Sequence, residues 1–244
     1  MSLFKKAEQE INPTRLAGQI FLFLLGAELL IVLADIFLYQ LEWLPWSQLR
    51  IPFNITREDT VVNWFSSMQA FAAALVLLAI FLLARRQKRA EAWGWGVLAV
   101  IFAAISLDDG AKLHERAGSS VVEMANHSPL IAELASNFPS YYWQMVCGPL
   151  LIAVGVFMTA FLWRNSGKTT FFYCFVIAAC FLAFAILLDF VEGMDVGVFG
   201  LRWYKHNLKL IEEFIEMLGT SILLVTFLRI LMDMFPDIRL KFMK

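Results

Sequence analysis

Charge is scarce in this chain: 17% of its 244 residues are Asp, Glu, Lys or Arg, 60% are hydrophobic, and the mean hydropathy is +0.67. Soluble domains carry about a quarter of their residues charged. The composition therefore excludes a water-soluble globular fold and leaves a polytopic membrane protein. Cysteine is equally sparse. Cys147, Cys174 and Cys180 all fall within apolar runs, which excludes an extracellular disulfide framework and leaves buried apolar side chains. Familiar catalytic signatures are missing too. There is no His-Glu-x-x-His, Gly-x-Ser-x-Gly, Cys-x-x-Cys or paired His-x-x-x-His, and Gly167-Lys168-Thr169 lacks the earlier glycine of a phosphate loop. No repeat, low-complexity tract or linker divides the chain, so a single integral membrane domain over 1–244 is expected. The opening MSLFKKAEQEINPTR stays polar too long, and the apolar run after it is too long, for a cleavable signal peptide. That run is expected to stay as the first anchor.

What the chain does have is long apolar windows. Six of them, at about 16–40, 61–84, 92–108, 142–163, 170–191 and 208–232, reach or approach the roughly twenty residues needed to span a bilayer. The fold class that follows is all-α, a polytopic membrane bundle of six transmembrane helices. Thirteen Lys and Arg fall on one side of these spans, with the Arg85-Arg86-Gln87-Lys88-Arg89 turn as their densest group, and seven on the other. The positive-inside rule then places both termini in the cytoplasm. All eight tryptophans fall near proposed span ends, as interfacial indoles do. The basic rim is explained by topology, so nucleic acid is not an expected partner. The bilayer is, and a membrane protein partner or a second copy is compatible with the pattern. A bacterial inner membrane and a eukaryotic membrane are not distinguished.

The acids are distributed oppositely. Fourteen lie on the outer side against seven bases, whereas the inner side has five against thirteen. An acidic rim of this kind attracts cations or cationic substrates. The connection from about 109 to 141 is too long for a plain link. Within it, Ser128-Pro129 is a cap followed by proline at the first helical position, and Asn137-Phe138-Pro139 ends the turn. Gly110 and Gly118 are candidate breaks in the helix that follows the third span.

Three groups of residues could carry chemistry. On the sixth span, Lys209, Glu212, Glu213, Glu216 and Thr220 share an arc of roughly 100°, a polar stripe entering lipid. Ionisable groups at that depth are costly and usually face a bundle interior or cavity. At the end of the third span stand Asp108, Asp109, Lys112, His114, Glu115 and Arg116. In an unbroken helix His114 points roughly 120° from Asp108, so it joins the acids only through a bend at Gly110. The bland alternative is an Asp108–Lys112 and Asp109–Arg116 ladder of ion pairs. At the end of the fifth span, Asp189 and Glu192 are neighbours on one face, with Arg202 and His206 beyond them.

Converging like charges require compensation by bases, protons or a metal ion. Carboxylates with histidine, drawn from several helices, suit iron, manganese or zinc. The absence of any Glu-x-x-His weakens the di-iron form of that idea. The expected assignment makes Glu212, Glu216, Asp108, Glu115, Asp189 and Glu192 metal ligands, and Glu213, His114 and Asp109 catalytic. Lys112, Arg202 and His206 then hold an anionic substrate. The leading expectation is a metal-dependent membrane enzyme acting on a lipid or amphiphile. A cation or proton-coupled transporter with Glu28 and Asp35 as its ion path is the first alternative, and a non-catalytic subunit with a structural polar core is the second.

Overall fold

The computed structural model describes residues 12–57, 59–166, 169–194 and 202–236; the side chains at 166 and 202–204 are likewise outside the description. The described residues form helices and their connections, with no strand among them. The first span is α1, Pro13–Ala34, continued by a π-helical turn, Asp35–Gln40. A short α2, Ser47–Arg50, leads to α3, Val61–Arg86, and α4 is Ala92–Ala111. Two short helices follow, α5 (Leu113–Ala125) and α6 (Pro129–Asn137). The remaining spans are α7, Tyr142–Ser166, α8, Thr170–Gly193, and α9, Arg202–Met234. Six helices are long and apolar enough to cross a membrane, as the hydropathy windows require.

Lipid tails are as apolar as leucine, so helices in a bilayer associate through close packing more than through burial. The sequence supplies small residues where that packing is tightest. Ala70, Ala73, Ala74 and Ala84 of α3 are buried with Leu77 and Ile80 between them, and this face meets α4 and α9. Large apolar side chains point the other way, toward lipid: Phe23 of α1, Val100 of α4 and Ile152 of α7 are each more than two-thirds exposed. Around the turn joining α3 to α4 the interior is sealed by aromatics. Trp95 meets Phe161 edge-on at 5.0 Å between ring centres, and Phe102 meets Phe227 edge-on at 5.3 Å. Trp95, the fourth residue of α4, stands near the span end as the sequence suggests, but it is 1% exposed and belongs to the core. Trp203 lies outside the described side chains.

The opposite end carries the acids. The helix there breaks at Lys112, which adopts left-handed geometry (φ 55°, ψ 47°) between α4 and α5, two residues later than the bend expected at Gly110. Gly110 remains helical. Gly118 is also helical, and its role is close packing: a Cβ there would lie 2.6 Å from the Trp143 backbone nitrogen. The missing side chain lets α5 rest directly on the start of α7. The Pro129 start and Asn137 end of α6 are as the sequence predicts, although Ser128 makes no capping hydrogen bond.

Candidate functional site

The left-handed residue at Lys112 reverses the chain just enough to bring His114 back over Asp108. The His114 backbone N–H donates to Asp108 Oδ1 at 2.8 Å, and its Nδ1 lies 2.6 Å from Asp108 Oδ2. The ring also meets Trp143 edge-on at 4.9 Å. Burial alone would lower the imidazole pKa, but the hydrogen bond and charge of Asp108, with Glu115 and Asp109 nearby, raise it overall. Lys112 pairs with Glu115 at 3.2 Å. Asp109 accepts from the Ser66 hydroxyl of α3 at 3.0 Å. The ion-pair ladder to Lys112 and Arg116 thus gives way to a His114–Asp108 pair and a carboxylate aimed at α3.

Trp143 links this pair to the next acids. Its indole N–H donates to Asp189 Oδ2 at 3.1 Å, and Gln144 Nε2 donates to the same oxygen at 2.8 Å. Asp189 Oδ1 faces Lys209 Nζ at 3.7 Å. One helical turn of α9 then wraps carboxylates around that lysine, with Glu212 at 2.6 Å and Glu213 at 3.3 Å. These are the i+3 and i+4 partners that helix geometry offers a lysine. Glu216, one turn deeper, is close enough to Glu213, Asp109 and Glu212 for their charges to interact. Glu192 of α8 accepts weakly from the Tyr141 hydroxyl at 3.4 Å. Burial, with Glu192 and Asp189 beside it, pushes that phenol up to about 12.

Asp189, Glu192 and Glu212 each offer an oxygen, and these three atoms lie within 4.8 Å of one another. Lys209 occupies Glu212 Oε1, whereas the buried Oε2 atoms of Glu212 and Glu192 and the Oε1 of Gln144 accept no hydrogen bond. Six carboxylates, those of Asp109, Asp189, Glu192, Glu212, Glu213 and Glu216, therefore share this end with Lys209 as the one cation bound among them in the described residues.

Other expected residues stand apart. His206 lies 2.9 Å from Asp35 Oδ2 and stacks on Tyr39, so it latches α9 to the end of α1. The π-helical turn makes the latch possible by presenting Asp35 inward, where it also accepts from Gln40 at 2.7 Å and from the Ile55 N–H at 3.0 Å. Glu28 is fully buried about two turns below, bonded to Gln69 and Ser221 at 2.8 and 2.6 Å. The Arg202 side chain is outside the described residues.

Sequence reasoning missed Gln144, Tyr141 and the structural use of Trp143, although these are the first polar side chains after the long connection, where a span enters. Ser221 was missed because it lies about 100° around α9 from Thr220, off the acidic stripe and facing α1.

No curated protein and no solved structure matches the chain. A family model described as "Domain of unknown function (DUF8692)" matches residues 21–231, which covers all six spans in whole or in large part, and the chain belongs to that family.

Proposed function

We propose that this protein is a membrane-embedded enzyme that holds a divalent cation on Asp189, Glu192 and Glu212 and acts on the polar part of a lipid or other amphiphile. One observation carries the reading: three carboxylate oxygens within 4.8 Å, two of whose residues keep a buried oxygen with no partner. Glu212 is only 3% exposed. A buried polar atom without a partner costs about 1–3 kcal/mol, and more when charged. A cation relieves two such atoms and the like-charge crowding together.

The donors are all oxygen, which suits a hard ion such as manganese, magnesium or calcium. Of the iron, manganese and zinc that the sequence suggests, manganese fits this set best, because both site histidines are engaged by Asp108 and Asp35. When bound, the ion supplies Lewis acidity and an activated water. The chain's own groups do the rest. His114, oriented by Asp108, moves a proton at its exposed ring edge. Lys209 keeps Glu212 and Glu213 from repelling each other fully, and Lys112 stands beside His114 to meet an anionic headgroup. On the positive-inside count this end faces outward.

Mn2+ binding to the detergent-purified chain, followed by electron paramagnetic resonance, is expected to show one saturable site, weakened roughly tenfold or more in Glu212→Gln and Glu192→Gln. Binding that is absent, or equal in both variants, overturns the metal site. In proteoliposomes of a total lipid extract, chelator-sensitive lipid conversion lost in His114→Ala is expected; lipid left unchanged by the wild type removes the enzymatic half.

Cation-coupled transport is the second reading, and buried Glu28 favours it. Its other acid, Asp35, is saturated by Gln40, Ile55 and His206, and the aromatic half below must open for passage. Flux into liposomes that Glu28→Gln leaves unchanged counts against it.

A further inference from the structure

Deep between α1, α3 and α9 lies a small polar cluster that the acidic end does not use. Glu28 and Ser221 are completely buried and Gln69 is 3% exposed. Every hydrogen these side chains can donate is already spent. Gln69 Nε2 donates to Glu28 Oε1 and to Ser221 Oγ, and the Ser221 hydroxyl donates to Glu28 Oε1. Two acceptors are left with nothing to accept, Glu28 Oε2 and Gln69 Oε1. Among the described residues Glu28 makes no ion pair with Lys, Arg or His.

We infer that Glu28, Gln69 and Ser221 form a binding site for one sodium ion in the interior of the bundle. Gln69 and Ser221 have no further hydrogen to donate, so the two unpartnered oxygens call for a guest from outside the cluster. The donor set is purely oxygen, which selects a hard ion. A single carboxylate sets the charge: a monovalent ion brings the cluster to neutrality, whereas a divalent one leaves an uncompensated charge among apolar helices, at a cost of several kcal/mol. The hydrogen bonds of 2.6 to 2.8 Å hold the three side chains in a compact group, suited to a small ion rather than potassium. Each ligand comes from a different span, so the ion ties α1, α3 and α9 together below the mouth of the bundle. An intramembrane acid of this kind is expected to face such a guest. The inference is independent of the metal chemistry proposed for Asp189, Glu192 and Glu212.

The test is thermal unfolding of the detergent-purified full chain in sodium, potassium or choline chloride at one ionic strength. Sodium is expected to raise the midpoint saturably, by roughly 5–10 °C at a hundredfold excess over its Kd, with no comparable rise in potassium. Equal midpoints in the three salts overturn the inference, and a proton on the cluster then becomes the simpler occupant. Glu28→Gln is expected to abolish the sodium response. Should that variant not fold, Ser221→Ala serves, with half-saturation moved roughly tenfold higher. A sodium response that survives in both variants, or that disappears in Glu212→Gln, places the ion elsewhere and overturns this site.

Discussion

In the half of the bundle nearer the turn that joins α3 to α4, Trp95 meets Phe161 and Phe102 meets Phe227 edge to face within an apolar cluster, where the Trp95 indole nitrogen is buried without a hydrogen-bond partner. At the opposite end Asp189, Glu212 and Glu213 crowd around Lys209, and the buried Oε2 atoms of Glu192 and Glu212 go unpartnered. The same helices build both ends. α9 is apolar from Ile222 to Leu228 except for Thr226, and acidic from Glu212 to Glu216. One half of the bundle is thus arranged for stability, whereas the other holds charge in a configuration that close packing alone would not choose. Proteins retain such strained groups where function needs them, so removing a crowded acid from the one end should raise stability, whereas truncating an aromatic at the other should lower it.

The largest effect is expected in the aromatic half. Phe227→Ala leaves a cavity beside Phe102 and should cost about 4 kcal/mol, read from the unfolding midpoint in mixed micelles, with Mn2+ affinity unchanged. Next comes the latch: Asp35→Ala strips a fully buried acceptor from Gln40, Ile55 and His206 and should cost about 2 kcal/mol. Gly118→Val drives a Cβ into the Trp143 backbone and should cost about 1–3 kcal/mol. It should also loosen the His114 dyad, visible as altered protection of the His114 region in hydrogen exchange.

Glu216→Gln should do the reverse. It removes a buried ionisable group from beside Glu213 and Asp109 and should raise the midpoint by roughly 2–4 °C, the equivalent of about 1 kcal/mol. A fall of that size would erase the contrast between the two ends.

The smallest effect is the pH response of His114. Its pKa is raised in the folded chain from the ordinary 6.5, so folding favours the protonated ring. That contribution is complete below pH 6.5 and is lost as pH rises through the higher folded value. Unfolding midpoints should therefore decline across that window in the wild type and lose this component of the decline in His114→Gln.

The six spans, the proline start and the stop of α6 and the level shared by the acids were legible in the sequence, because each depends on local pattern: length of apolar run, proline at a helix start, i+3 and i+4 spacing. The acidic stripe of α9 was legible for the same reason, since one helix carries it whole. What the sequence did not disclose was pairing. His114 reaches Asp108 through a left-handed Lys112, a backbone choice with no glycine to announce it. Asp35, read as part of an ion path, is turned by a π-helical segment into a latch for His206. Glu28 finds Gln69 and Ser221 from two other helices. Periodicity determines which face of a helix is polar, but contacts between helices depend on rotation, depth and local breaks that only packing fixes. The sequence by itself therefore determined a six-span bundle with one acidic end. The tertiary structure alone decided which oxygens are satisfied and which are left without a partner.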